Sequence, residues 1–412
     1  MRKPEIKSEC SGNRNLSLSD AKPAEAQTRK VEALTYCLNS NRETQMHLNA
    51  HAETALLAEL TTGPKMSRQV KRHKLLSAIR TEGASSILRL LFATQGAPRL
   101  TVDEVIYFDL LRRRVPIADI ACYVGKRRQR VLHAKVNDPT CLASCHNKQR
   151  FYQQMRLSGF PAPTSVAHCA PYDQVNSDSF TTYDTFVEHL RLQCHFPLFL
   201  KPIYGIFSVG AQMLKGFSDE QFILSHSSVS KREFIHYLSV ISAHGYLAQE
   251  VMVPSAYTKQ CFSNSLCTIR FLVLADSQGG GVESAFLKIP AHSAIADNYW
   301  RVGNLIVGIE PTSGTLTRAI SGSEATLVQH EEIPNTGLRV QGHQIAGWSN
   351  VVASVLEWSR VFPGIRTQSW DVALTQDGPV ALDLNFGGDL NLHQLVHERG
   401  ILSENYFAHA FS

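Results

Sequence analysis

The sequence predicts an α+β protein built on antiparallel sheets, and three observations carry that expectation. Apolar runs close on short turn signals, as in "LCTIRFLVLADSQGGGVESAFLKI" (266–289) and "SWDVALTQDGPVALDLNF" (369–386), which read as hairpins. Beyond residue 160, strand and helix signals alternate, suggesting sheets that carry helices on one side. Apolar residues make up 43% of the chain against 19% charged, which excludes wholesale disorder. At 412 residues the chain can bury a substantial core and hold roughly two or three domains.

Residues 1–65 are polar, rich in Ser, Asn, Lys and Glu, and lack sustained periodicity; they read as a flexible tail with one short helix near "HAETALLAEL". Residues 66–146 read as a helical N-terminal region. Within it "TVDEVIYFDLLRRR" opens on a capping box from Thr101 to Glu104, and Pro116 ends or restarts that helix. A further helix covers 147–160, closed by Gly159. Strands follow at 197–203, 245–253, 266–275 and 281–289, and "NLIVGIEPTSGTLTRA" repeats the strand-turn-strand theme. A helix over 343–360 precedes the last hairpin.

The net charge of +5 permits an anionic ligand without arguing for nucleic acid. The basic runs "RQVKRHK" (68–74), "LRRR" (111–114) and "GKRRQR" (125–130) are read first as solvated helix faces, with phosphate or membrane-surface contact as the alternative. Nine cysteines without a CxxC pair make no disulfide framework, and Cys141, Cys145 and His146 have no common zinc spacing. No apolar run is long enough for a membrane span and no signal core opens the chain, so the expected location is cytoplasmic.

The last hairpin carries a chemical pattern. A three-residue loop Gln376-Asp377-Gly378 would set Thr375 opposite Pro379 and Asp371 opposite Asp383, with strands over 370–375 and 379–385. Asn385 then joins Asp383 on one face, while Val372, Leu374, Val380, Leu382 and Leu384 form an apolar face behind. Opposed carboxylates repel, so a cation such as Mg²⁺ is one compensation and an exposed polar sheet face is the other reading. Upstream, Lys201 sits inside an apolar strand just ahead of a loop with Gly205, Ser208 and Gly210. A buried lysine needs an anion, and a small-residue loop offers N–H groups to phosphate.

Taken in order, these features resemble the ATP-grasp superfamily: Lys148 before "GFPAP", Lys201 before its loop, the strand "AQEVMV", Arg270 and Lys288 on successive strands, and "DLNFGG" at the end. The stretch from "SLCTIRFLVLA" to "DLNFGGDLNL" looks most like the sugar-transfer-associated branch. The resemblance spans roughly residues 100 to 400 and implies an ATP-grasp fold over 147–412, two α+β subdomains divided near 250 that sandwich ATP.

It further implies roles. Lys148 and Lys201, with Gly205, Ser208 and Gly210, would hold nucleotide phosphates. Gln249, Glu250 and the segment to Val253 would read the adenine edge. Arg270 and Lys288 would stabilise transferred phosphoryl oxygens. Asp371, Asp383 and Asn385 would bind Mg²⁺, typically as two ions. The implied chemistry is ATP-dependent activation of a carboxylate for attack by an amine or similar nucleophile. The substrate would be a small molecule or saccharide-linked, connected with cell-surface polysaccharide, with no nucleic-acid partner and an open oligomeric state. A nucleotide-binding regulatory protein and a phosphotransferase are the competing readings. Three departures from the family pattern stand out: Asp383-Leu384-Asn385 replaces the common E-x-N, "VPSAYTK" after the hinge offers no acid for ribose, and Ile206 and Phe207 make the loop bulky. Asp297 and Asn298 fit either an acceptor site or a turn, and Asp389 fits a substrate contact less well than a helix N-cap.

Overall fold

The computed structural model describes residues 66–411 apart from 97, 114, 172–178, 206–207, 277–279, 292–293, 295, 299–302 and 323–326. The expected tail and its short helix lie outside the described residues. Helices open the described chain: α1 (Arg68–Glu82), α2 (Ala84–Gln95), α3 (Val102–Tyr107), α4 (Ile117–Ile120), α5 (Lys126–Val136), α6 (Leu142–His146) and α7 (Lys148–Leu157). The capping box is present, with Thr101 and Glu104 exchanging side-chain and backbone bonds, but it starts a helix of only six residues. Pro116 caps the next one.

A six-stranded sheet follows, comprising β1 (Ser165–Cys169), β2 (Leu198–Pro202), β3 (Gln212–Ser218), β4 (Gln221–Leu224), β5 (Ser228–Ser230) and β6 (Tyr246–Glu250), with α8 (Tyr183–Gln193) and α9 (Lys231–Ile241) between strands. Its order is β1-β6-β2-β3-β4-β5. Phe186, Leu190, Phe222, Phe234 and Tyr246 lock α8 and α9 onto it. After α10 (Ala256–Cys261) the chain enters a seven-stranded sheet of β7 (Thr268–Leu274), β8 (Gly281–Ile289), β9 (Leu305–Ile309), β10 (Leu316–Ser321), β11 (Val328–His330), β12 (Thr367–Thr375) and β13 (Gly378–Phe386). Its order is β11-β10-β9-β8-β7-β12-β13, and every strand pair in both sheets is antiparallel. Helix α11 (Trp348–Ser359) precedes β12, and α12 (Leu390–His397) and α13 (Glu404–Phe411) end the chain.

The large sheet corrects one expectation, because helices cover both of its faces. On one face Phe271, Leu287 and Trp370 pack against Phe151 of α7 and Trp348 and Trp358 of α11. On the other, Phe286 and Ile306 meet Val105, Tyr123 and Leu395, while Leu272 and Leu274 meet Leu132 and Tyr406. The cause is in the strands: "TIRFLVL" is apolar at both parities, so one covered face would leave the other wet.

The last hairpin corrects a second. Thr375 pairs with Gly378, not Pro379, so the loop is Gln376-Asp377 and the strands extend to Thr367 and Phe386. Pairing then shifts between Val372 and Asp371, with Leu382 the extra residue of a bulge, and beyond it Asp371 does face Asp383. The bulge turns Leu382 out of the apolar face and onto the wall of a cleft, its carbonyl accepting from the Tyr152 hydroxyl at 3.0 Å. Val372, Leu374 and Leu384 stay in the core, joined by Trp370 and Ala381, while Val380 lies outside that cluster.

Candidate functional site

A cleft of about 750 Å³ opens between the two sheets. Its walls carry Lys148, Lys201, Gly205, Ser208, Gln249, Glu250, Val253, Arg270, Lys288, Asp371, Asp383 and Asn385, so twelve of the thirteen expected site residues meet in one place. The thirteenth, Gly210, stands behind the wall. Its φ is +76°, and a Cβ there would come within 2.5 Å of Ile241 and 2.7 Å of the Tyr246 hydroxyl, so it shapes the loop without facing the cleft.

On the large sheet the alternation of side chains delivers the charges. Arg270 and Leu272 share one face of β7, as Lys288 and Phe286 share one face of β8, and the charged member of each pair lies at the cleft end. Arg270 grips both oxygens of Asp371, Nε to Oδ1 at 2.9 Å and Nη2 to Oδ2. Lys288 reaches the same Oδ1 at 3.0 Å and Asp297 at 3.3 Å. Burial alone would raise the Asp371 carboxyl, but Arg270 and Lys288 outweigh it and hold it well below the usual carboxylate range.

On the facing side, Asn147 caps α7 by accepting from the Arg150 N–H at 3.1 Å, which sets Lys148 in the first helical turn. Lys148 is not the solvated surface lysine that an isolated helix would suggest. It is only 7% exposed, donates to the Gly205 carbonyl at 2.6 Å and stands 3.7 Å from Asp383. Lys201 points across the Tyr152 ring, 5.1 Å from its centroid, and makes no ion pair among the described residues. Burial pulls its pKa down to about 8, with Asp383 and Asp371 offsetting part of the cost. In total, six cationic side chains line the cleft against four carboxylates.

Loops complete the walls. Beyond β6 the chain runs Val251-Met252-Val253 outside any strand, and the Val253 carbonyl accepts from the Gln376 N–H at 3.1 Å. Asp297 takes both Lys288 and the Thr268 hydroxyl, and Asn298 donates to the Ser208 hydroxyl, joining the loop after β2 to the loop after β8. The second loop is pinned by buried Asn304, which accepts from Ala291 N–H at 2.7 Å and donates to the carbonyls of Ala296 at 2.9 Å and Asn298 at 2.8 Å. Asp389 proves to be a helix cap: it accepts from Asn391 N–H at 3.0 Å and pairs with Lys126 at 3.0 Å. Sequence reasoning did not reach Asn304, Phe199, Met213, Lys259 or Asn264. They line or brace the cleft from loops and strand faces that carry no motif, and only Ser255, the cap of α10, hinted at the helix that presents Lys259.

A family model described as sugar-transfer associated ATP-grasp matches residues 127–408, well over half of the chain. No curated protein matches the sequence. Among solved structures, the chain is similar to the ATP-grasp ligase PsnB complexed with minimal precursor, at 13% identity and a TM-score of 0.33, covering 66% of this chain and 62% of that one. It is similar to the VanG D-Ala:D-Ser ligase from Enterococcus faecalis, at 12% identity and a TM-score of 0.36, covering 71% and 67%. It is also similar to the D-alanine–D-alanine ligase from Bacillus anthracis, at 13% identity and a TM-score of 0.36, covering 65% and 67%. On the strength of the family match, the chain belongs to the sugar-transfer associated ATP-grasp family, and its paired antiparallel sheets with a cleft between them form the ATP-grasp fold.

Proposed function

We propose that the protein is an ATP- and Mg²⁺-dependent ligase that activates a carboxylate as an acyl phosphate and passes the acyl group to an amine or similar nucleophile. The observation that carries the reading is Lys201, a partly buried cation in the cleft wall that makes no ion pair among the described residues. Such a group calls for an anionic ligand, and polyphosphate supplies one. Lys148 and Lys201 hold the phosphates, with the loop through Gly205 and Ser208 folded over them and Gly210 keeping its shape. The N–H groups of Val251, Met252 and Val253 make no bond among the described residues, so the segment from Gln249 and Glu250 onward can read a base edge through its backbone. Phe199, Met213 and Leu382 supply apolar surface for the base.

Asp383 and Asn385 offer hard oxygen donors of the kind Mg²⁺ prefers. The Asn385 amide nitrogen donates to the Ser369 carbonyl at 3.4 Å, and its oxygen accepts no bond among the described residues. Asp371 already balances Arg270 and Lys288, so it would share its remaining lone pairs. No three His, Cys, Asp or Glu side chains gather for a metal among the described residues, so the nucleotide would complete the ligand set. When bound, Mg²⁺ neutralises phosphate charge.

The substrate carboxylate oxygen attacks the γ-phosphorus and ADP leaves. The nucleophile then attacks the acyl carbon, phosphate leaves, and the amine loses a proton. Arg270 and Lys288 stabilise the negative charge on the transferred group. The family description supports a saccharide-linked substrate, within cell-surface polysaccharide biosynthesis. A second reading, nucleotide binding without ligase turnover, is favoured by one observation: Asp371 is already paired with two cations.

Titration calorimetry tests the first step. Wild type should bind ATP only with magnesium, and Asp383→Ala should not; wild type that binds no ATP sinks both readings. Hydroxylamine trapping separates them, because an acyl hydroxamate forms only if a carboxylate is phosphorylated. Uronic acids and amino sugars are the first substrates to screen.

A further inference from the structure

The basic run at 68–74 contributes nothing to the cleft, and its surroundings on the surface are unusual. Between residues 66 and 100 seven lysines and arginines stand against one carboxylate, Glu82. Lys71 spends its charge on Asp103 at 3.1 Å, while Arg68, Arg72, Arg80 and Arg89 are exposed.

A solvated helix buries its apolar residues and shows polar ones. Helices α1 and α2 do bury an apolar stripe, through Ala78, Ile87 and the partly covered Val70, Leu75, Leu90 and Leu91. Their outward arcs nevertheless carry large apolar groups as well. At helical spacing, Leu76 falls in the middle of the exposed arc of α1, between Arg72 and Arg80, with Ile79 three residues on from it toward the end of the helix. Phe92 falls in the middle of the arc of α2, flanked by Leu88 and Arg89, and is 78% exposed. The two helices meet at Gly83, which caps both with φ +82°, so the arcs belong to one hairpin. Protruding Phe and Leu, ringed by arginine and almost free of acid, match an anionic lipid surface. The rings and chains enter the headgroup boundary while guanidinium groups meet phosphates. An acidic protein would satisfy the charge, but the apolar groups at the crests ask for a second, apolar medium.

We propose that the outward face of the α1–α2 hairpin docks the protein on an anionic membrane surface. None of its residues lines the cleft, so the inference stands apart from the ligase reading. The test is sedimentation of the full chain with phosphatidylcholine vesicles, with and without phosphatidylglycerol. Binding is expected only to the anionic vesicles. Leu88→Ser/Phe92→Ser should weaken it about tenfold or more. Arg72→Glu/Arg80→Glu should weaken it roughly 25-fold, from about fivefold per arginine. Arg232→Glu/Arg360→Glu, exposed arginines elsewhere, should leave it unchanged, and thermal melts should show all variants folded. Failure of the wild type to sediment with anionic vesicles overturns the proposal. Sedimentation that survives Leu88→Ser/Phe92→Ser, matched by equal binding to an acidic polypeptide, overturns it as well, because charge alone then explains the face.

Discussion

The two ends of one face of the large sheet differ in what covers them. Under the helices, Leu272, Leu274 and Phe286 stand on β7 and β8 in contact with Leu132, Tyr123 and Tyr406. Two residues along the same strands, Arg270 and Lys288 face the cleft and meet on Asp371. Backbone pairing is continuous across the boundary, for Arg270 pairs with Phe286 and Thr268 with Lys288. The sheet therefore supplies one rigid platform, and the cover alone decides whether a side chain serves as packing or chemistry. A cleft built on such strands holds its charges on a fixed framework, the preorganisation that the proposed phosphoryl transfer would use.

Removing one residue from each end should separate the two roles. Asp371→Ala leaves Arg270 buried without its anion and Lys288 with Asp297 alone, so we expect about 3–5 kcal/mol of destabilisation together with loss of at least a hundredfold in ATP turnover. Urea unfolding and an ADP-release assay read the two losses. Phe286→Ala should cost a similar amount, about 3–5 kcal/mol, through cavity formation. Its affinity for Mg·ATP, measured below the unfolding transition, should match wild type. Equal loss of affinity in Phe286→Ala would mean that the platform is not rigid and that the two ends are coupled.

The two cleft lysines sharpen the comparison at the level of charge. Lys148 has the Gly205 carbonyl and Asp383 nearby, whereas Lys201 has an aromatic face and burial that pulls its pKa to about 8. Lys201 is therefore fully charged below about pH 8 and loses its proton above it. ATP affinity should be flat well below that pH and fall by at most tenfold per unit above it, until the lysine of the complex, its pKa raised by the phosphate, loses its proton too. Lys201→Arg should remove the dependence. In the unliganded protein the sign reverses. Between about pH 8 and the ordinary lysine value the unfolded chain holds the extra proton, so stability rises with pH across that window. Calorimetry across pH 7–9.5 decides the first effect, and melts without nucleotide decide the second.

Much of the charged constellation was legible because a cation in an apolar strand is conspicuous, as at Lys201 in "PLFLKPI" and Arg270 in "TIRFLVL". The hairpin was legible in its result and misread in its route. Asp371 faces Asp383 because a shorter loop and a bulge cancel, and a bulge leaves no clear mark in a run of alternating residues. Leu382 was lost to the core for that reason. Cover on both sheet faces was present in the sequence, in strands apolar at both parities, whereas the alternation of strand and helix signals points only to helices on one side. Asn304 was out of reach, since its work is to gather three backbone groups of a loop whose path has no period.

That loop offers the smallest effect. Asn298 donates to Ser208 across the cleft, tying the loop after β8 to the one that would cover the phosphates, while Asp297 beside it holds Lys288. A hydrogen bond between two partly buried neutral groups contributes about 1 kcal/mol net, so Asn298→Ala should shift global stability by no more than that. If the contact holds the loop in its covering position, its loss should raise KM for ATP a few fold and leave the pH dependence set by Lys201 intact. Asn298→Asp keeps a group that can accept from the Ser208 hydroxyl and should recover most of the loss, although it adds a charge beside Asp297. Steady-state kinetics on both variants decides between a tie that positions the loop and a contact that merely coincides with it: recovery in Asn298→Asp supports the tie, and an unchanged KM in Asn298→Ala removes it.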